Sequence, residues 1–294
     1  MAIFNLENDK HYIIVYNRIP KTGSTFLMHI IYKMSRVNNF NVVYLNTSFK
    51  RNLLTPMDQI LLANNITSWI PDKSFVYHGH FSYFNIEKLG SKGDIRNVVY
   101  VNVLREPFNR LVSYYYFLRF GDDYRPHLKR HKMGDNKTLD ECVAENGSEC
   151  DAKMMWIQIP YFCGHFSFCH QPGNELALQQ AKLNLVNKYF LVGTLERLKD
   201  FVELLEHSLP TVFDGAMSMF QEASLLSISK RKTSYKKEPS LSTTKLLKSN
   251  SIYLMEKEFY EFASQIFDYF YQTSMKYSHK PINLNDVYQK IYIG

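Results

Sequence analysis

Lys21, Thr22, Gly23, Ser24 and Thr25 stand a few residues after Ile13, Ile14, Val15 and Tyr16, an apolar run that suits a buried strand. Pro20 breaks that run, and residues 26–34 then carry apolar side chains through more than two turns of a helix. A strand, a tight turn with glycine, lysine and hydroxyls, and a helix start together form an anion cradle. Backbone N–H groups and the helix dipole point at the turn, and the lysine adds a charge. The ligand that suits such a cradle is a phosphate. A Walker A loop needs G-x-x-x-x-G-K-[ST], and here the lysine precedes the glycine. The same residues would also serve as a plain strand–helix connection with a solvated lysine.

Three other groups could take part in chemistry. His78 and His80 are separated by Gly79, which puts both on one side if the strand continues and allows close backbone approach by a ligand. A histidine at a strand end is a natural general base for a hydroxyl; two satisfied histidines in a turn are the plainer reading. Arg105 and Ser113 are eight apart, one leaving a strand and the other two turns along the next helix. A guanidinium and a hydroxyl so placed can hold a phosphate from two directions. Arg119, Arg125 and Arg130, with neighbouring lysines, could grip a polyanion or simply form a solvated face.

The elements that must position these groups alternate. Strands are predicted at residues 41–45, 75–77, 97–104 and 189–192. Helices are predicted at 56–63, from 105–107 onward, and at 174–187, 198–209 and 245–271. Strands alternating with helices argue for an α/β fold around a parallel sheet, whose ligands sit beyond the carboxyl ends of the strands. Lys21, His80 and Arg105 all fall at such ends. Residues 121–134 and 224–239 read as basic loops. The expected organisation is a single domain over residues 1–294. It carries a stapled insertion at 121–172 and a C-terminal helix and tail at 245–294.

A charged fraction of 21% against 45% hydrophobic residues describes a globular chain rather than a disordered one. The net charge of +7 favours a polyanionic partner, and nucleic acid, anionic glycan and acidic membrane all fit it. No apolar run approaches the roughly 20 residues of a membrane span. None of the four cysteines forms a C-x-x-C pair, which argues against zinc. Their spacing looks like two local disulfides, Cys142–Cys150 and Cys163–Cys169, although the sequence alone leaves the connectivity open. Sequons at Asn46, Asn65, Asn136 and Asn146 join them in favouring the secretory pathway.

The segments YNRIPKTGST, YHGHFSY, NVLREPFNRLVSYYYFLRFGDDYRP, DECVAENGSEC and QIPYFCGHFSFC, in that order, resemble the heparan sulfate 2-O-sulfotransferases. The likeness runs from about Tyr12 to about Tyr271. SYYYFLRFGDDYRP separates the chain from the related uronyl 2-O-sulfotransferases of chondroitin and dermatan. The resemblance implies a P-loop-like sulfotransferase fold, with a central parallel sheet flanked by helices. It also implies 3′-phosphoadenylyl sulfate as donor, adenosine 3′,5′-bisphosphate as product, and heparan sulfate rather than nucleic acid as partner. On matching positions, Lys21, Thr22, Gly23, Ser24 and Thr25 would hold the 5′-phosphosulfate, and Arg105 and Ser113 the 3′-phosphate. His80 would be the general base with His78 in support. Arg18, Tyr32, Tyr114, Arg125, Arg130 and Arg231 would meet the glycan, and Lys232 and Thr233 would close over the donor. The two cysteine pairs match the family's disulfides in spacing. A homotrimer and a type II Golgi membrane anchor are implied as well. No anchor lies within these residues, so the expectation is a truncated N-terminus. Gly23 and His29 depart from the family, which commonly has Ala and Asn there.

The expected reaction is an in-line displacement at sulfur, without a metal. His80 removes the proton of the 2-hydroxyl of iduronic or glucuronic acid, and Lys21 carries the charge of the departing phosphate. Transfer to dermatan or chondroitin and a non-catalytic glycan-binding module are the alternatives. A P-loop kinase would need an acidic strand end for Mg²⁺, and the best strand ends in Arg105 instead.

Overall fold

The structure, a computed structural model, describes residues 11–46, 52–68, 73–90, 98–122, 136–225, 233 and 235–276, without the side chains of 68, 275 and 276. Strands β1 (Ile13–Asn17), β2 (Asn41–Tyr44), β3 (Phe75–Gly79), β4 (Val98–Leu104) and β5 (Tyr189–Thr194) make one sheet in the order β2-β3-β1-β4-β5. Every pairing is parallel. Each residue of β1, β3, β4 and β5 is buried, so these strands read as continuous apolar runs rather than alternating ones. Edge strand β2 is partly exposed.

From β1 the chain crosses to the outer edge for β2 and steps back to β3. It then passes over β1 to β4 and continues outward to β5. Connections therefore leave the neighbouring strands β1 and β4 in opposite directions. Such a reversal opens a crevice beyond the carboxyl ends of the two strands. Helix α1 (Ser24–Val37) follows β1 at that crevice, and α4 (Pro107–Phe120) follows β4.

The remaining helices are α2 (Pro56–Ser68), α3 (Ile86–Leu89), α5 (Leu139–Ala144), α6 (Gln158–Cys163) and α7 (Glu175–Lys188), then α8 (Leu198–Ser208), α9 (Pro210–Phe213), α10 (Ala216–Leu225), α11 (Leu241–Lys248) and α12 (Ser251–Lys276). Helix α2 runs one turn past the expected stop at Asn64, because asparagine is only a weak helix breaker. The single C-terminal helix expected over 245–271 is two. Ser240 caps α11 by accepting from Thr243 N–H, and Asn250 Oδ1 accepts from Ile252 N–H to start α12 afresh. Helix α4 begins at Pro107, within the 105–107 stretch where its start was expected, with Glu106 accepting from Asn109 N–H at 2.7 Å.

Both disulfides form as the spacing suggested, Cys142–Cys150 and Cys163–Cys169. The stretch expected as one insertion divides between two cores. Cys142 and Cys150 join a small cluster with Leu111, Tyr115 and Tyr116 of α4. Helix α6 belongs to the main core, where Phe162 stacks on Tyr189 of β5 with ring centres 4.3 Å apart. All four sequon asparagines are exposed. Among the described residues no helix is long and apolar enough to cross a membrane.

A buried polar junction ties the carboxyl ends of the strands together. Asn102 Nδ2 donates to Asn17 O and Oδ1 at 2.8 and 2.9 Å, and Tyr189 Oη donates to the same Oδ1 at 3.0 Å. Asn17 Nδ2 reaches the Tyr161 carbonyl, and Asn102 Oδ1 accepts from Val103 N–H. Both asparagines are fully buried. Asn102→Ala removes the side-chain donor to the Asn17 backbone carbonyl and leaves Tyr189 alone on Oδ1, which costs about 1–3 kcal/mol. Urea denaturation should show a midpoint lowered accordingly with an unchanged slope; an unchanged midpoint would make the junction dispensable.

Candidate active site

The turn after β1 departs from ordinary backbone. Lys21 is left-handed at φ 69°, which costs a non-glycine residue about 1–2 kcal/mol. Arg105, just past β4, donates from Nη1 to the Lys21 carbonyl at 3.1 Å and holds that conformation. Gly23 is left-handed too, at φ 80°, and a Cβ there would come 2.4 Å from Leu195 Cδ1. Gly23 is also the N-cap of α1 and supplies no capping side chain. Phe26 N–H donates to the Gly23 carbonyl at 3.0 Å, and the N–H groups of Ser24 and Thr25 ahead of it are left for a ligand.

A cavity of about 710 Å³ opens over this turn. Lys21, Gly23, Ser24, Thr25, His80, Arg105, Ser113 and Thr233 all line it, so the sequence-distant groups converge. Thr233 belongs to a late segment that meets Asp122 in an antiparallel bridge. Its Oγ1 lies 3.4 Å from both Lys21 Nζ and Ser113 Oγ. Lys21 Nζ also sits 4.1 Å above the Phe117 ring, a cation–π contact. Thr22 is the exception within the turn. Its hydroxyl donates to the Ile19 carbonyl at 3.0 Å and its side chain is fully buried, so only its backbone remains for a ligand.

The two histidines part company. His80 Nδ1 donates to the Arg18 carbonyl at 2.7 Å; a carbonyl only accepts, so the neutral ring carries its proton there and keeps a lone pair on Nε2. Burial and the Arg18 guanidinium push His80 down to about 4, against the raising effect of that bond. His78 is buried under the aromatic rings of Tyr32 and Tyr44, its Nε2 2.8 Å from Tyr32 Oη. Burial, Arg18 and His80 push it down to about 3. Gly79 does not admit a ligand, contrary to the expectation from the sequence. A Cβ there would meet the Leu45 carbonyl at 2.6 Å and the Phe81 ring at 3.1 Å, so the close approach is made by the protein itself.

Of the expected glycan contacts, Arg18 is half-buried with its guanidinium 5.8 Å from the Tyr44 ring centre, and Tyr32 is 46% exposed on the same side. Tyr114 is half-buried, 5.7 Å from the buried Arg110 guanidinium. Arg119 is not available to a polyanion: it is buried, pairs with Glu149 at 3.3 Å and lies 3.7 Å above the Tyr115 ring. Arg125, Arg130, Arg231 and Lys232 lie outside the described residues. Sequence reasoning passed over Phe117, Tyr44, Leu195 and Lys236. Phe117 sits one helical turn after Ser113, the one spacing that could have pointed to it.

A parallel sheet with an anion cradle at its switch point, faced by a neutral histidine, defines a group-transfer enzyme built around a phosphate-bearing donor. The sulfotransferase family matches residues 6–269, and the chain belongs to it. It is 45% identical over 290 residues to heparan sulfate 2-O-sulfotransferase 1 of Xenopus laevis, covering 98% of this chain and 80% of the relative. The human protein of the same name matches at 44% with the same coverage. Heparan sulfate 2-O-sulfotransferase hst-2 of Caenorhabditis elegans is 44% identical over 257 residues, 87% of this chain and 78% of the relative.

The family implies 3′-phosphoadenylyl sulfate as the sulfate donor. The cavity fits it: a glycine cradle closed to any Cβ, three cations, five hydroxyl-bearing residues and an uncapped helix start face a space of nucleotide size.

The buried neutral histidines carry a pH signature. Unfolded, each binds a proton near 6.5, whereas folded His78 and His80 stay neutral to about 3 and 4. The unfolded state binds more protons between those limits, so these groups lower stability as pH falls from 6.5 towards 4. Calorimetric melting across that window should show a shallower decline for His78→Asn than for the unaltered chain. Equal slopes would mean that His78 is protonated in the fold.

Proposed function

We propose that the protein transfers a sulfuryl group from 3′-phosphoadenylyl sulfate to the 2-hydroxyl of iduronic acid, less often glucuronic acid, in heparan sulfate. One observation carries the reading. His80, its Nδ1 proton committed to the Arg18 carbonyl, lines the same cavity as Lys21 with its Nε2 lone pair uncommitted. Relatives at 44–45% identity over nearly the whole chain are named for the same transfer.

The donor, when bound, supplies the sulfuryl group and a phosphate leaving group. Lys21, the backbone of Thr22 and Gly23, the hydroxyls of Ser24 and Thr25 and the α1 N–H groups hold its 5′ end. Arg105 and Ser113 hold the 3′-phosphate, and Thr233 closes over both from the late segment beside Lys232. His80 removes the hydroxyl proton at Nε2, a contribution of roughly 10²–10⁴-fold. Lys21, with the positive end of α1, answers the charge that builds on the leaving oxygen without a metal. His78 fixes Tyr32 through its 2.8 Å bond and so shapes the glycan side with Arg18 and Tyr114.

His80→Ala should lower kcat by about 10²–10⁴-fold while leaving the affinity for adenosine 3′,5′-bisphosphate within twofold of the unaltered chain. Loss of nucleotide binding in that variant would make His80 structural. With labelled donor and a chelator present, heparan sulfate should be labelled at the 2-hydroxyl and dermatan sulfate should not. Labelling of dermatan instead would move the acceptor class, and no transfer to either would leave a glycan-binding module. Because His80 is held near 4, kcat/KM should stay level from pH 8 to about 5 and fall below that. A limb near 6.5 would point to a different base.

The Golgi lumen and a homotrimer complete the proposal. Two disulfides and four exposed sequon asparagines support the compartment, and the family likeness supports the assembly. Expressed in secretory cells, the chain should shift in mobility on treatment with an N-glycosidase and scatter light as three copies. An unshifted band would end the first claim, and a single-copy mass the second.

A further inference from the structure

Arg105 is gripped from behind by a buried relay that the reaction itself does not use. Gln158, the first residue of α6, is fully buried. Its Oε1 accepts from Arg105 N–H at 2.9 Å and its Nε2 donates to the Arg105 carbonyl at 3.0 Å. One side-chain amide thus pairs with both backbone groups of one residue, as a neighbouring strand would. The orientation of that amide is not free. The Arg105 N–H can only donate and its carbonyl can only accept, so the amide oxygen must face the one and the nitrogen the other; the NH₂ then also lies 3.4 Å from Glu256 Oε2.

Glu256, on α12, is fully buried as well and is itself fixed by the start of α6. It accepts from the backbone N–H groups of Ile157, Gln158 and Ile159 at 2.9, 3.3 and 3.1 Å. Burial pushes Glu256 up to about 7, against those donors and the buried Arg110, which favour its charged form. Hydrogen bonds therefore run without a break from Glu256 to Gln158, to the Arg105 backbone, and from the Arg105 guanidinium to the Lys21 carbonyl.

We propose that Gln158, seated on Glu256, is a positioning residue that aims the Arg105 fork at the donor's 3′-phosphate. The inference rests on the reading that Arg105 meets that phosphate. Arg105 has just left β4 and stands ahead of the cap of α4, so neither element's own ladder fixes its backbone. The Gln158 amide supplies that constraint from behind. A guanidinium binds phosphate by geometry as much as by charge, so a backbone free to rock loses affinity for the 3′ group specifically.

The test compares adenosine 3′,5′-bisphosphate with adenosine 5′-monophosphate by titration calorimetry on the full chain, Arg105→Ala and Gln158→Met. The methionine keeps the volume and removes the amide. The unaltered chain should prefer the bisphosphate, and Arg105→Ala should abolish the preference. Gln158→Met should cut it by about tenfold, the loss of roughly two hydrogen bonds' worth of positioning, with monophosphate affinity unchanged. Preference lost in Arg105→Ala but intact in Gln158→Met overturns the proposal and leaves the 3′-phosphate reading standing. Preference intact in Arg105→Ala overturns that reading and the proposal with it. A parallel fall in both affinities for Gln158→Met makes Gln158 a general structural residue and also overturns it. Should the methionine variant not fold, Gln158→Asn, with the amide one methylene short, is read by the same ratio.

Discussion

One hydrogen bond, from Arg105 Nη1 to the carbonyl of Lys21, joins the two strands that flank the crevice. It offsets part of the backbone strain of the left-handed lysine. With it, Gly23 is delivered to the start of α1, the uncapped N–H groups face the cavity, and the lysine side chain crosses to the ring of Phe117. The parallel sheet makes this possible, because only neighbouring strands with diverging connections bring two such loops together at one end. The asparagine junction below keeps those strand ends in register while the loops above carry the chemistry.

In the proposed reaction the same crevice would solve a problem of proton affinity. A base in contact with a polyanionic acceptor and donor would ordinarily be drawn into its protonated form and lose its lone pair. Here burial and the nearby Arg18 charge oppose protonation, so His80 keeps its lone pair at neutral pH. In the proposed transfer the cost is a weaker base, which the charge of Lys21 at the other end of the reacting bond would offset. His78 shares the depressed affinity but spends its nitrogen on Tyr32, which makes it a support rather than a second base.

Much of this was legible in the residues. The apolar runs of β1 and β4 marked buried parallel strands, and Lys21, His80 and Arg105 fell at strand ends because the alternation of elements put them there. Cysteine spacing suggested both bridges. What escaped was whatever depends on contacts across the chain. Nothing around Gly79 says that the Leu45 carbonyl takes the space a ligand would need. Arg119 looks as basic as its neighbours until Glu149 and Tyr115 enclose it. The division of 245–271 into two helices turned on the Asn250 cap, a local signal outweighed by the apolar periodicity on either side. Gln158 sits in a segment that reads as cysteine-stapled insertion, and only the fold places it behind Arg105.

The bridge between Cys163 and Cys169 spans six residues, and that between Cys142 and Cys150 spans eight. Closing loops so short removes little freedom from the unfolded chain, about 2–2.5 kcal/mol each on the chain-entropy account. Their value is local. Cys163 is the last residue of α6 and Gln158 the first, so one disulfide pins the far end of a six-residue helix whose near end grips Arg105. The Cys163–Cys169 bridge thereby acts on the alignment of the helix that grips Arg105 more than on overall stability.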